Sequence, residues 1–416
     1  MENNNSELVY EKYLKYLNPS LARLMKVSGC ANLESEASGC AIYDNLGNRY
    51  LDCLGGYGVF NFGHRHPKII NAVINQLNKM PLSAKIFLNE PLANAAEMLA
   101  QLTPGDLKYS FFGNSGTEAV EGALKLARLY TRKPHIIATY NGYHGKTFGS
   151  LSVTGRDVFR TPFEPLLQDV TFIPFGDVNA LEEAITEKTG AFIVEPVQGE
   201  GGVNVPPAGY MTAVREITKK KGILLIADEI QTGMGRTGFN FACEEEGVCP
   251  DIMVLAKALG GGILPVGVFI GTPEVWKAFE PVPLIHTSTF GGNPLAATAV
   301  LASLQVLVEE NIAEKARSSG LKLKSELQKT ADEFPAFVKE VRGKGLLLGV
   351  EFIDAGYAGS TMMKMVENSV IVAYTLNNPK VIRIEPPLII TEEEIITVGK
   401  VFRKAVSETV KLLGGY

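Results

Sequence analysis

The sequence is poor in the features that would mark it for several special classes. Its five cysteines, Cys30, Cys40, Cys53, Cys243 and Cys249, are an odd number and contain no CxxC pair. That excludes a disulfide frame or a zinc site of the usual spacing, and reads as reduced thiols in a cytoplasmic protein. No metal site is expected. No apolar run approaches the roughly 20 residues that cross a bilayer. The polar opening, residues 1–7, lacks the basic-then-apolar layout of a signal peptide. The net charge is only −5 and no block dense in Lys or Arg stands out, which argues against nucleic acid as a partner. A GxxxxGKS/T loop is absent, so a nucleoside triphosphate is a poor candidate ligand. No internal repeat is found, and low complexity is confined to an asparagine triplet. What remains is an ordinary globular composition, 46% hydrophobic and 20% charged. A chain of 416 residues has room for a large domain and a smaller one.

The stretch that organises the rest is 251–262, an apolar run that delivers Lys257 to its end and is followed by Gly260, Gly261 and Gly262. Lysine is rarely buried without a partner or a task. Apolar flanks desolvate its ammonium and favour the neutral amine, which can attack an aldehyde and form a Schiff base. The alternative is a lysine whose head snorkels to water. Upstream, residues 222–238 hold five apolar residues ending at Asp228, a strand buried on both faces as in parallel sheets. Asp228 then stands at the strand's carboxyl end, where open α/β sheets keep their ligand crevices. It needs a cation, such as a protonated pyridine nitrogen, or serves to cap a turn.

The remaining chain supplies the setting. Residues 6–26 carry leucines at helical spacing, broken at Pro19, and read as an N-terminal helical arm. Residues 41–52 read as a hairpin, and 54–64 as a glycine-dense stretch in which Tyr57 either faces substrate or packs a loop. From about residue 65 to 300, helical and strand patterns alternate as in a mostly parallel α/β sheet. Its strand candidates are 109–112, 136–138, 170–173, 191–195 and the segments ending at Asp228 and Lys257. Beyond 300 come helical runs, a turn at 343–345, a strand at 346–352 and a last helix over about 391–413.

Four further stretches carry chemistry. Phe112 to Arg128 is strand, glycine turn and amphipathic helix, with Ser115 and Glu118 at capping-box spacing. Such a helix start suits a phosphate, or is an ordinary cap. Tyr143 can stack on a flat ring, and the adjacent His144 is a general base or a structural histidine. Glu195 and Glu200 end a buried strand as site acids or as loop carboxylates. Arg383 lies in an apolar strand, where a guanidinium wants a carboxylate. Together these call for a planar cofactor with an aldehyde, a phosphate and a basic ring nitrogen, which is pyridoxal 5′-phosphate (PLP).

The blocks Asn114–Glu118, Asp228–Gly233 and Leu255–Gly261 in combination resemble the class III PLP-dependent aminotransferases of fold type I, the ornithine, acetylornithine, GABA and putrescine group. The likeness runs over nearly the whole chain from about residue 20. At 374–378 and 382–387 it is similar above all to putrescine (diamine) aminotransferases. The resemblance implies an α/β protein. A large domain with a mostly parallel seven-stranded sheet is joined by a smaller α/β domain built from both chain ends. The implied boundaries are 1–60 for the arm and part of the small domain, 61–305 for the PLP-binding domain and 306–416 for the rest of the small domain.

It further implies that Lys257 is the Schiff-base lysine and Asp228 the partner of the pyridine nitrogen. Gln231 bonds the ring hydroxyl, and Tyr143 and Ile230 sandwich the ring. Ser115, Gly116 and Thr117 hold the phosphate, with His144 and Glu195 close by. A homodimer brings Thr289 to the partner subunit's phosphate. Arg383 takes a substrate carboxylate and pairs with Glu200 when the amine lacks one. Tyr57 and Lys146 face substrate, and the acceptor is 2-oxoglutarate. Ornithine-type members carry Arg where this chain has Lys146, and lysine lacks the planar fork, which leans toward a diamine donor.

Overall fold

The computed structural model describes residues 2–414, with side chains from residue 5 onward. The N-terminal leucine pattern forms two helices, Glu2–Tyr16 and Pro19–Val27. Asn18 caps the second: its Oδ1 accepts from Ser20 N at 3.1 Å and Leu21 N at 3.2 Å. Pro19 takes the first helical position, where a missing N–H costs nothing. Three strands follow, β1 (Glu34–Ser38), β2 (Ala41–Asp44) and β3 (Arg49–Asp52), and β2 with β3 is the expected hairpin.

The central sheet holds β4 (Tyr109–Gly113), β5 (His135–Thr139), β6 (Val170–Ile173), β7 (Thr189–Val194), β8 (Leu224–Asp228), β9 (Ile252–Leu255) and β10 (Gly267–Gly271). Their order is β4-β10-β9-β8-β7-β5-β6. Strands β5 to β9 pair in parallel, and β10 runs antiparallel to both β4 and β9. Successive side chains point to opposite faces. In β9, Ile252 and Val254 join the core under the helix Gly116–Thr131, while Met253 and Leu255 join the core under Pro294–Glu309. Burial on both faces is why these strands read as continuous apolar runs. β10 escaped the sequence reading because its five residues begin and end in glycine. A Cβ on Gly267 would lie 1.9 Å from the Ser115 carbonyl oxygen, so the glycine lets β10 abut the turn after β4.

The later chain adds β11 (Val338–Lys344), β12 (Leu347–Phe352), β13 (Val370–Ile371), β14 (Ala373–Tyr374) and β15 (Val381–Ile384). An antiparallel sheet runs β11-β12-β15-β14, while β13 pairs with β3 and joins the N-terminal strands. The turn expected at 343–345 falls later. Gly343 and Lys344 still pair with Leu348 and Leu347. A Cβ on Gly343 would stand 2.1 Å from the Leu347 carbonyl oxygen, so the glycine admits that close approach. The last helix, Glu392–Leu413, opens with a capping box between Thr391 and Glu394. All five cysteines are free. No single helix among the described residues is long and apolar enough to cross a membrane.

Candidate active site

Strands β4, β5, β7, β8 and β9 run in one direction, so their carboxyl ends meet along one edge of the sheet. A cavity of about 790 Å³ opens there. Ser115, Gly116 and Thr117 line it after β4, with Tyr143, His144 and Lys146 after β5. Glu195 enters after β7, Asp228, Ile230 and Gln231 from β8, and Lys257 after β9.

Lys257 does not lie in a strand, as its apolar approach suggested. β9 stops at Leu255, and Lys257 opens the tight turn Lys257–Gly260 with φ 48°. A side chain in that left-handed region costs of order 1–3 kcal/mol and persists only where its surroundings impose it. The strain aims the amine into the cavity instead of along the sheet. Burial lowers the lysine's pKa, and the carboxylates of Glu385 and Glu200 oppose the shift without cancelling it.

Asp228 is buried, and its Oδ2 lies 2.6 Å from His144 Nδ1 while Oδ1 accepts from Ile230 N at 3.1 Å. Burial works against a charged imidazole, but the bond to Asp228 and the charges of Asp228 and Glu195 outweigh it and raise His144 above its ordinary value. His144 is thus committed through Nδ1 to orienting Asp228. Glu195 accepts from Tyr143 N at 2.9 Å and Gly199 N at 3.1 Å. Burial, reinforced by the charge of Asp228, pushes its pKa up to about 7.

The helix Gly116–Thr131 starts at the cavity. Ser115 Oγ accepts from Glu118 N at 3.3 Å, but the reciprocal half of the expected capping box is displaced by one residue. The Glu118 carboxylate accepts from Asn114 N at 2.6 Å and Asn114 Nδ2 at 2.9 Å, tightening the turn before the helix. Thr117 Oγ1 is held 2.8 Å from Thr147 Oγ1 and 2.6 Å from Ser150 Oγ. A Cβ on Gly116 would meet Ile230 Cδ1 at 3.0 Å, so the glycine lets the helix start pack closely on Ile230.

Tyr57, Glu200 and Arg383 stand in a neighbouring cluster. Arg383 Nη1 donates to Glu200 Oε1 at 2.7 Å, and Glu200 Oε2 accepts from Leu376 N at 2.9 Å. The Tyr57 ring centroid is 5.5 Å from the Arg383 guanidinium carbon. Lys146 Nζ sits 4.0 Å from the Phe159 ring centroid. Thr289 is exposed and does not line the cavity of its own chain, whereas its neighbour Ser288 accepts from Asn114 Nδ2 at 3.2 Å. Sequence reading missed Glu385 and Arg236, both fully buried beside Arg383. The only local signal was Glu385 standing between Ile384 and Pro386, where a carboxylate has no obvious route to water.

A buried amine with a lowered pKa, a buried carboxylate and a helix start facing one cavity define a site for an aldehyde-bearing, phosphorylated, basic ring. The donor set fits PLP. The chain matches the family model of the class-III aminotransferases over residues 27–406, and it belongs to that family. It is similar to the ornithine aminotransferase of Toxoplasma gondii ME49, at 33% identity and a TM-score of 0.88 over 97% of this chain and 98% of that one. The acetylornithine aminotransferase of Elizabethkingia anophelis is 34% identical, with a TM-score of 0.85 over 97% and 99%. An amine transaminase from an uncultivated Pseudomonas species, in a PLP-bound form, is 29% identical, with a TM-score of 0.85 over 91% and 95%. The protein is therefore a PLP-dependent aminotransferase of fold type I, acting on an amine and a keto acid.

Proposed function

We propose that the enzyme moves the terminal amino group of a diamine or ω-amino compound, of the putrescine or cadaverine kind, to 2-oxoglutarate, giving an aldehyde and L-glutamate. The observation that carries this reading is the ion pair of Arg383 and Glu200, 2.7 Å apart and almost wholly buried. An unpaired buried guanidinium is expensive. A site that keeps its own carboxylate for Arg383 suits a donor that brings none and an acceptor that does. Lys146 in place of a forked guanidinium supports the same lean.

Bound PLP supplies an electron-withdrawing ring that stabilises negative charge on the substrate carbon next to nitrogen. Asp228 would hold the ring nitrogen protonated, and His144 holds Asp228. Gln231 bonds the ring hydroxyl, while Tyr143 and Ile230 cover the two faces. Ser115, Gly116 and Thr117 take the phosphate, with Glu195 bracing the Tyr143 backbone. Lys257 Nζ would bind the aldehyde and, as a free amine, would be the base that moves the proton of the substrate carbon. Arg383 receives the acceptor's α-carboxylate as Glu200 swings aside, with Tyr57 over the guanidinium.

The same reading includes a cytoplasmic homodimer in which Thr289 reaches the partner's cofactor phosphate. Ile86, Phe87, Leu88 and Leu284 are exposed large apolar residues, and the first loop is tied to the segment beside Thr289 by Lys85, which donates to Gly291 O at 2.6 Å. It also divides the chain at about residues 60 and 305. Assays of putrescine, cadaverine, ornithine, acetylornithine and GABA with 2-oxoglutarate test the substrate. The expected result is fastest turnover with a diamine. A clear preference for ornithine or acetylornithine would favour the alternative that the similar ornithine and acetylornithine enzymes suggest. Product formed without any keto acid would point to a same-fold aminomutase or racemase.

A further inference from the structure

Arg383 has a second carboxylate besides Glu200. Glu385 lies one residue past β15 and is fully buried. Its Oε2 is 3.2 Å from Arg383 Nε, and its Oε1 is 3.6 Å from Arg236 Nε. Both oxygens also accept from Gln231 Nε2, at 3.1 and 3.0 Å. The glycine turn before Val59 makes the room. A Cβ on Gly58 would lie 2.7 Å from Glu385 Oε1, and one on Gly55 would lie 2.3 Å from the Glu385 carbonyl oxygen.

Glu385 is anchored differently from Glu200. Glu200 lies within the loop between β7 and the helix Tyr210–Lys221, and its carboxylate is held by Arg383 and one backbone N–H. Glu385 is locked on the opposite side by Gln231 and by Arg236. Arg236 is itself anchored: its Nη1 donates to the carbonyls of Leu346 at 2.9 Å and Pro386 at 2.6 Å, and its Nη2 to Asn61 Oδ1 at 2.6 Å. Meanwhile Arg383 Nε and Nη2 are buried without a well-aligned hydrogen bond, so the guanidinium keeps donors in reserve. Two guanidiniums and two carboxylates thus balance inside the protein, and Glu385 is held by more groups than Glu200.

We propose that Glu385 is the residue that sets carboxylate affinity in this site: a fixed counter-ion that stays beside Arg383 after Glu200 leaves and so weakens its hold on any incoming carboxylate. This rests on the reading of Arg383 as the carboxylate receptor. A like charge beside the receptor penalises every substrate carboxylate placed there, glutamate and 2-oxoglutarate alike. A donor whose far end is neutral or cationic escapes the penalty. Glu385 therefore tilts the site toward amines that bring no carboxylate to Arg383, and lets the glutamate product of each cycle leave.

The test is calorimetric titration of the PLP-loaded enzyme with maleate, a dicarboxylate that cannot react. Glu385→Gln keeps the shape and a carbonyl acceptor for Gln231 but removes the charge, and is expected to tighten maleate binding about tenfold. Glu385→Asp draws the charge back by one methylene and is expected to tighten it about threefold, so the sign can be read even if the glutamine variant does not fold. The KM for putrescine is expected to stay within about threefold in both. A merely structural role can only loosen binding, so unchanged or weaker maleate affinity in the folded variants overturns the proposal. Arg383→Lys separates the two layers, because it is expected to weaken maleate at least tenfold. If it does and Glu385→Gln gains nothing, the role of Glu385 alone fails. If Arg383→Lys changes nothing, the receptor reading fails and takes this inference with it.

Discussion

The two halves of the site solve opposite electrostatic problems. Around Lys257 the protein disfavours a charge. The lysine has no ion-pair partner among the described residues, and burial lowers its pKa although Glu385 and Glu200 pull the other way. Around Arg383 the protein protects a charge. Burial opposes the guanidinium too, but Glu385 and Glu200 outweigh it and raise its pKa. The same two carboxylates thus stand near both cations and decide differently, because Glu200 is 2.7 Å from Arg383 and Glu385 3.2 Å, whereas neither is paired with the lysine. A base must be able to lose its proton; a receptor must never do so. Distance to the carboxylates separates the two roles.

The sharpest way to break the comparison is Lys257→Ala. It removes the group that moves the proton, and turnover is expected to fall by about 10⁴-fold or more. The receptor half should not notice. Maleate affinity, followed by calorimetry, is expected to stay within about threefold of wild type. Full steady-state turnover in that variant would remove the basis of the cofactor assignment.

Asp228→Asn comes next. It keeps the side chain's shape and a hydrogen bond toward His144, but gives up the charge opposite the ring nitrogen. Losing one such electrostatic contact costs about 10²- to 10³-fold in kcat. The KM for the keto acid belongs to the other half and is expected to move little. If kcat held and KM rose instead, Asp228 would belong to substrate binding.

Glu195 lies behind the cofactor half and reports on it through pH. Its carboxyl is raised from an ordinary 4.5 to about 7, first by burial and then by Asp228. The folded state therefore binds the proton more tightly than the unfolded chain. The stability this contributes is complete below about pH 4.5 and is lost as pH rises through 7, on the order of 3 kcal/mol in all. Urea unfolding of the cofactor-free protein between pH 5 and 8 should show that decline, and Glu195→Gln should flatten it. An equal slope in both proteins would mean that the burial of Glu195 is relieved by something else.

The two halves also differ in how much of them could be read without coordinates. β5, β7, β8 and β9 were visible because strands buried on both faces are apolar along their length, and Glu195, Asp228 and Lys257 at or just past the ends of three of them had to be accounted for. That logic brought Asp228, Glu195 and Lys257 to one edge, although it carried the lysine two residues too far along its strand. It could not find β10, whose Gly267 abuts Ser115, nor two-residue strands such as β13 and β14. The receptor half is different in kind. Tyr57, Glu200, Arg236, Arg383 and Glu385 come from distant parts of the chain, and ion pairs leave no periodicity. Arg383 and Glu200 were matched through family resemblance, while Glu385 and Arg236 had no such aid. Only the three-dimensional path of β15 beneath the glycine turn shows that a carboxylate after an apolar strand is buried at all.

The smallest effect belongs to the rim of the cavity. Lys146 lines the cavity and holds its ammonium 4.0 Å from the Phe159 ring centroid, an arrangement worth about 0.5–1 kcal/mol at an exposed site. An ammonium in that place is a point charge that attracts a carboxylate without orienting it. Lys146→Arg supplies a planar fork that can grip two oxygens and can still stack on Phe159. The expected change is a few-fold fall in KM for a donor carrying a distal carboxylate, such as ornithine, with the KM for putrescine unmoved. That outcome would place donor choice partly at the rim. If both KM values shifted together, position 146 would act on the common cofactor half, and the choice between amines would rest with Arg383 and its two carboxylates.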